Sequence, residues 1–469
     1  MHSRTFIRPV FCTLCRKEDA MSKQRIQLSD HFTYSRLLRF VLPCIGTMLF
    51  TSIYGIVDGL CVSNFVGKTA FAAVNLIMPL PMLLGTIGFM LGTGGSAIVG
   101  ITLGEGDQKK ADRYFTLFLL AALVSVSVLA VLGIVFLRPI AVLLGAKGEL
   151  LDYAVRYGRI LMVSLPTFAL QNMFQSFFVT AEKPHLGFWF TVGAGCTNMV
   201  LDVLMVGIWG WGVEGAAIAT FISQLVGGVL PVFYFINRSN SSRLHLCRTS
   251  FYSKVLRDAC INGSSELMTN LSMSLVNILY NYQLLRLAGE NGVAAYGVIM
   301  YAAFLFVAVF VGYAVGSAPI VSFHYGARNH TEVHNLYRKS LRLIAVVAVT
   351  LTLASMFIIP CVARIFVGYD AELLALTSRA FRLYALSFLI MGFNVYASSF
   401  FTALGDGVTS ALISFLRTLA FQVIAILLLP LLLGIDGIWL AVTAAELAAL
   451  AVSAAMLLTK DKVFHYRKA

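Results

Sequence analysis

Charge is what this sequence has least of. Only 12% of its 469 residues are Asp, Glu, Lys or Arg, about half the share of an ordinary soluble domain. A water-soluble chain of this length could not cover its surface with so few charges. Disorder, a disulfide scaffold and a nucleic-acid-binding module fall on the same ground. Catalytic signatures are also missing. The eight His residues are scattered without an H-E-x-x-H pair, and there is no G-x-x-x-x-G-K-[ST] loop, so neither zinc hydrolysis nor ATP use is indicated. No aspartate-rich Mg²⁺ motif of a membrane transferase is present. The reading is therefore not an enzyme, with no cofactor. Cysteine offers little more. Cys12 and Cys15 form a lone C-x-x-C with no second pair to complete a zinc site, and most of the other six lie in or beside apolar stretches.

What is abundant is apolar side chain, at 59% of residues, with a mean hydropathy of +0.83. A polytopic all-α membrane protein remains. Twelve apolar segments are long enough to cross a bilayer at about 20 residues each. They run over 37–62, 71–103, 114–137, 153–178, 186–209, 214–236, 259–286, 292–325, 340–366, 376–403, 409–433 and 437–459. Pro79 and Pro81 should bend the second and Pro319 the eighth. Residues 1–20 lack the apolar core of a signal peptide. Met21 reads as the natural start, with the preceding stretch loosely attached.

Lys and Arg set the orientation. With the N-terminus inside, inner segments hold 25 of the 35 basic residues, outer segments hold nine, and Arg417 lies within the eleventh span. Both termini are thus placed in the cytoplasm, and Trp209, Trp211 and Trp439 at the outer boundary.

The halves align at a nearly constant offset of 222 residues. Gly212-Val213-Glu214-Gly215 matches Gly434-Ile435-Asp436-Gly437, Thr180-Ala181 matches Thr402-Ala403, and Gly104 matches Gly326. Six spans per half make the repeat parallel, with a pseudo-twofold axis along the membrane normal. The division is a cytoplasmic segment 1–36, bundles over 37–236 and 259–459, a linker over 237–258 and a tail over 460–469. Such a plan belongs to secondary transporters, whose substrate site lies between the bundles. The expected cavity is mainly apolar and bordered by spans one, two, seven and eight.

Tyr54-Gly55-Ile56-Val57-Asp58-Gly59, Gly104-Glu105-Gly106-Asp107, Asn198-Met199-Val200-Leu201-Asp202 and Gly212-Val213-Glu214-Gly215-Ala216-Ala217 together resemble motifs of the multidrug and toxic compound extrusion (MATE) transporters. The likeness extends over about residues 30–460, and the acidic residues of the first half fit the DinF-like branch. The resemblance implies a V-shaped pair of six-helix bundles exporting cationic or amphipathic small molecules against inward H⁺ or Na⁺. Its cation site falls here on Asp58, Asn198 and Asp202, with Thr220 and, at a position usually asparagine, Gln175. Asp58 and Asp202 would supply the oxygens for Na⁺. In the NorM-like branch the acidic pair lies in the second half. Glu266 matches one member, but the partner position falls near Met391. Lipid bilayer and drug are the expected partners, nucleic acid is not, and the expected state is a monomer.

Independently of the resemblance, an intramembrane charge costs about 2.5–3.5 kcal/mol on insertion scales and needs a reason. Asn198 and Asp202, four residues apart, share one helix face. Two converging carboxylates would take up a proton or hold Na⁺; the plainer alternative is a structural hydrogen bond between spans one and five. Glu266 is either a cavity carboxylate or a helix-start residue. Glu446 serves substrate or proton, or else a structural pairing. Arg417 pairs with Glu446 or snorkels to the headgroups. Tyr54, Met78, Tyr280, Asn281 and Met300 are candidates for an adaptable cavity surface. A flippase for a lipid-linked saccharide is the alternative function, but it would need several cavity-facing bases where only Arg417 stands.

Overall fold

The computed structural model describes residues 26–66, 68–368 and 370–467. Side chains of Ile56, 58–65, Lys68, Phe71, Pro360, Val362, Ile365 and Phe366 also lie outside the description, as do Cys12, Cys15 and the first twenty residues. Among the described residues the chain is helical and without strand.

The first half comprises α1 (Tyr34–Phe65), α2 (Lys68–Ile77), α3 (Pro79–Gly104), α4 (Gln108–Leu143), α5 (Glu149–Thr180), α6 (Pro184–Asp202), a π-helical turn π1 (Val203–Ile208) and α7 (Gly212–Ile236). After a short α8 (Ser253–Asn262), the second half comprises α9 (Ser264–Gly326), α10 (His330–Val367), α11 (Ala371–Ala385), α12 (Phe388–Ala403), α13 (Gly407–Phe415), π2 (Leu416–Ala420), α14 (Phe421–Leu433) and α15 (Ile435–Thr459), followed by α16 (Asp461–Phe464).

Nine of the described helices are long and apolar enough to cross a membrane, ten if the pair α11–α12, bent by 46°, is one span. The other two of the twelve expected segments have physical explanations. Glu149–Thr180 falls short in apolarity because Gln171, Asn172 and Gln175 stand in its second half. The 63-residue α9 carries two spans, divided at Gly289, whose φ of 62° and ψ of −150° is non-helical. Only glycine adopts that backbone readily. The second span breaks at Met78, ahead of Pro79 and Pro81, whereas α9 runs unbroken in secondary structure past Pro319 to Gly326. The short helix α8 begins at Ser253, inside the stretch read as linker.

The offset of 222 survives in local geometry. Asp107 caps α4 by accepting from the Lys110 amide at 3.0 Å, and Asn329 caps α10 by accepting from the Glu332 amide at 3.1 Å. Each cap meets an otherwise unpaired helix-start N–H. Gly106 and Arg328 both have positive φ, as do Gly212 and Gly434.

Packing follows composition. Near one end of the first bundle, Phe115, Phe174, Phe177, Phe178 and Phe235 are buried together, with ring centroids as close as 4.8 Å. Such pairs contribute about 0.5–1.5 kcal/mol beyond their area. Val124, Val128, Val131 and Val135 of α4 are exposed, an apolar stripe suited to lipid because the backbone polar groups are satisfied within the helix. Trp209 and Trp211 are exposed as well, but Trp439 is 1% exposed. It packs inside the protein and does not face lipid.

The bundles meet most tightly at the end that carries Gly104 and Gly326, where α3 lies along α9. A Cβ on Gly104 would overlap the Phe323 carbonyl oxygen, and a Cβ on Gly326 would overlap the Ile101 carbonyl oxygen. These contacts are twofold equivalents at the same offset of 222. Residues 28–32 strap this end. The Leu28 amide donates to Glu182 at 2.9 Å on the first bundle, and the Phe32 amide donates to Glu332 at 2.9 Å on the second. His31 contacts the other Glu332 oxygen at 2.6 Å, and Lys339 donates to the Phe32 carbonyl at 2.6 Å. Arg243 pairs with Glu182 and lies 4.9 Å from the Phe323 ring. The tail packs here too. Tyr466 is buried against Phe400 and Tyr337. Asp406 bridges to Lys460 at 2.9 Å. Burial alone would raise the Asp406 carboxyl, but hydrogen bonds from Lys460 and Thr409 outweigh it and hold it below its ordinary value.

Candidate functional site

Away from the sealed end, a cavity of about 460 Å³ opens. Spans two, seven and eight border it, as expected from sequence. Its walls are largely those of the second bundle. Glu266, Asn277 and Tyr280 come from the first part of α9, and Tyr296 and Met300 from the second. Tyr384 of α11, Ser398 of α12, Arg417 of π2, Gln422 of α14 and Glu446 of α15 complete them. From the first bundle come Thr93 and Ser96 of α3 and Ser176 of α5; no described residue of span one takes part. The lining is mainly apolar, with Glu266, Arg417 and Glu446 contributing charge.

Sequence reasoning had placed Glu266, Tyr280, Met300 and Glu446 at a cavity, and these four line it. Tyr54, Met78 and Asn281 do not. Tyr54 packs beside Phe50, with ring centroids 6.3 Å apart, against Gly195. Met78 occupies the break between α2 and α3. Asn281 turns its amide toward Asn277 at 3.5 Å, one turn back on the same helix.

The strongest electrostatic feature is a buried network. Arg417 Nε donates to Glu446 Oε1 at 2.8 Å, with the side chains 13% and 0% exposed. Asn394 Nδ2 donates to Glu446 Oε2 at 2.7 Å and to the Glu446 carbonyl at 2.9 Å. Ser453 Oγ donates to Asn394 Oδ1 at 2.9 Å. Arg417 therefore pairs and does not snorkel, and Asn394 and Ser453 hold Glu446 in one orientation. The π-helical turn at Leu416–Ala420 carries Arg417; such turns are frequent at functional sites. Breaking a buried pair from one side strands the other charge, at about 3–5 kcal/mol. Arg417→Ala should therefore lower the unfolding temperature in detergent sharply. The double change Arg417→Met with Glu446→Leu should recover most of that loss, because no charge is left behind. A single variant as stable as the parent would contradict this account.

Beside the network, Ser398 Oγ lies 2.8 Å from Ser410 Oγ and 2.9 Å from Ser414 Oγ, and Thr402 Oγ1 lies 2.7 Å from Ser410 Oγ. Tyr280 and Tyr296 stack with centroids 4.9 Å apart. The cavity thus offers aromatic faces, neutral hydroxyls and both signs of charge.

The residues assigned to cation coupling lie in the other bundle. Asn198 and Asp202 are 2% and 0% exposed, and Asn198 Nδ2 has no hydrogen-bond partner among the described residues. Asp202 ends α6 where π1 begins. The Asp58 side chain lies outside the described residues, but its place on the backbone is fixed. A Cβ on Gly46 would touch Phe188, and one on Gly195 would overlap Phe50 and touch Tyr54. Continuing that register along α1 and α6 brings position 58 level with about 199–202. Thr220 stands on α7 beside α6. Gln175 is drawn elsewhere, to a small void shared with Cys44, Thr47 and Met48 of α1. Among the described residues no group of three or more His, Cys, Asp or Glu side chains is placed to hold a metal.

Comparison with known proteins agrees with this architecture. A family model described as MatE matches residues 43–204 and again residues 267–428, so the two halves are recognised as two copies of one unit. The multidrug export protein MepA of Staphylococcus saprophyticus is 21% identical over 436 residues, covering 92% of this chain and 95% of the relative. MepA of Staphylococcus aureus is 22% identical over 433 residues, with the same coverage. Among solved structures, a MATE protein in complex with MaL6 superposes with a TM-score of 0.88 at 22% identity, over 96% of this chain and 100% of the other. The outward-facing conformation of a multidrug resistance MATE family transporter also gives 0.88 at 22% identity, over 95% and 99%. At these identities the superpositions speak for the fold. With the family model matched in both halves of a two-bundle membrane chain, this protein belongs to the MatE family of transporters.

Proposed function

We propose that the chain is a multidrug exporter that moves cationic or amphipathic small molecules out of the cell against inward H⁺ or Na⁺ by alternating access. The observation that carries this reading is one sealed end beside one open, chemically mixed cavity. The Gly104 and Gly326 contacts and the strap of residues 28–32 close one end, while Glu266, Tyr280 and Tyr296 stand around open volume. The multidrug export proteins similar to this chain along 92% of its length support the substrate class. The sealed end carries the excess of Lys and Arg, which supports placing it and both termini on the cytoplasmic side of the plasma membrane.

Coupling is assigned to Asp58, Asn198 and Asp202, with Thr220 beside them. Carboxylate and amide oxygens are hard donors suited to Na⁺, and a buried carboxylate pair is equally suited to a proton. The motif acids Asp58 and Asp202 of the first bundle support the DinF-like branch. Gln175 lines a small void beside Cys44, Thr47 and Met48 of α1.

The test is transport by the purified protein in liposomes, with ΔpH and ΔNa⁺ imposed separately. One gradient alone is expected to drive a cationic dye across the membrane, and collapsing that gradient should stop it. Dye movement indifferent to both gradients would overturn the coupled mechanism.

A further inference from the structure

Two cations meet at the sealed end without a carboxylate between them. Lys339 and Arg342 stand three residues apart on one face of α10, and both are directed at the start of α1. Lys339 Nζ donates to the Phe32 carbonyl at 2.6 Å and lies 5.5 Å from the centre of the Tyr34 ring. Arg342 Nη1 donates to the Tyr34 hydroxyl at 3.4 Å. Among the described residues neither cation forms a salt bridge. Glu332, the acid of this corner, is engaged elsewhere. One of its oxygens accepts from the Phe32 amide and Asn335, and the other meets His31. Like charges held close together cost free energy, and the strap needs only Lys339. All three groups also keep donors in hand. Lys339 has further ammonium hydrogens and Arg342 its Nε and second amino group. The Tyr34 hydroxyl, which accepts from Arg342, still has its own proton to give.

Their depth is equally specific. The apolar run of the ninth span begins at residue 340 and that of the first at 37, so the three groups sit at headgroup level. Arg342 is exposed and heads a stripe on α10 made of Val346, Val349, Leu353 and Phe357, which are 50–80% exposed. Steps of three and four residues keep the stripe on one helix face. We infer that Tyr34, Lys339 and Arg342 form a site for the phosphate of an anionic phospholipid, whose acyl chain lies along this stripe. The guanidinium fork matches phosphate oxygens, and the ammonium and phenol add charge-assisted hydrogen bonds. Tyr34 belongs to the first bundle and the two cations to the second, so the lipid links the bundles beside the strap. This goes beyond the exporter reading and does not depend on it.

The full-length protein in detergent is offered equal amounts of phosphatidylglycerol and phosphatidylcholine with the same acyl chains, and the first lipid bound is counted by native mass spectrometry. Both lipids carry a phosphate diester, but two cations repel the quaternary ammonium of phosphocholine. Phosphatidylglycerol should be taken up about tenfold more often, the scale of one charge-assisted hydrogen bond. Lys339→Gln with Arg342→Gln should bring the ratio near one. Tyr34→Phe keeps every charge and the ring beside Lys339, and removes only the hydroxyl. A severalfold loss of preference there marks a formed site, because attraction by the general excess of basic residues would not respond. Lys109→Gln with Lys110→Gln, at the start of α4, removes the same charge elsewhere on this side and should leave the ratio unchanged. Inorganic phosphate at millimolar concentration has the charge without the acyl chain and should not displace the lipid. The assignment is overturned by equal uptake of the two lipids, or by a preference that survives either Tyr34→Phe or the Lys339 and Arg342 double variant. An equal fall in the Lys109 and Lys110 variant, or displacement by inorganic phosphate, overturns it as well.

Discussion

Gly326→Val is expected to force the sealed end apart. The glycine sits where α9 crosses α3, and a Cβ there would overlap the Ile101 carbonyl. That oxygen belongs to helix backbone and cannot swing aside, so the bundles themselves must move. Overpacking of this kind costs about 1–3 kcal/mol, and every 1.4 kcal/mol is about a tenfold change in population. The cost falls on the closed arrangement alone, so the equilibrium moves toward states with this end open. Gly104→Val should act alike through the Phe323 carbonyl, and Gly326→Ala should do less. The measurement is the distance between spin labels at positions 108 and 330, which begin the twofold-related helices α4 and α10. It should lengthen by several ångströms, and export should fall. An unaltered distance distribution in Gly326→Val would mean that the contact is soft and does not govern closure.

This end also shows how far the sequence could be read. Gly104 and Gly326 were legible as a matched pair, because a repeat leaves its trace in residue identity at a fixed offset. Nothing in either sequence neighbourhood says that the two face each other across the pseudo-twofold axis. That is a property of how two like bundles meet. The same limit explains the cavity. Twelve apolar segments were visible as runs, but runs buried on most faces carry little periodic signal for which side meets a neighbour. So the share of Tyr384, Ser398 and Gln422 in the lining went unread. Glu446 and Arg417 were legible as charges in need of partners. That Asn394 of α12, itself held by Ser453 of α15, locks Glu446 was not, since residues 394, 417 and 446 meet only in the folded bundle. The burial of Trp439 was not legible either, since it depends on the packing of α15. The strap at Leu28 and Phe32 escaped notice because five residues between polar neighbours carry no pattern; it depends on Glu182 and Glu332, which are distant in sequence.

Asp202→Asn is expected to abolish gradient-driven export while leaving the protein folded. The two side chains have nearly the same volume, so the buried site at the end of α6 keeps its packing. What changes is ionisation. An aspartate there alternates between a charged state, which costs free energy when shut away from water, and a protonated or Na⁺-bound state, which does not. An ion can bias one arrangement of the bundles only through a difference in affinity between the two, and an amide gives H⁺ no such difference and Na⁺ far less. Asn198, one turn earlier and buried with a free amide nitrogen, cannot substitute, because it too lacks a titrating group. The cavity of the second bundle is untouched by the change, so a cationic dye should still bind. Loss of gradient-driven movement with retained binding would separate coupling from recognition. If Asp202 served only as a hydrogen-bonding acceptor between helices, asparagine would keep that role and export would continue. Export at the parental rate under the driving gradient would therefore remove Asp202 from the coupling site.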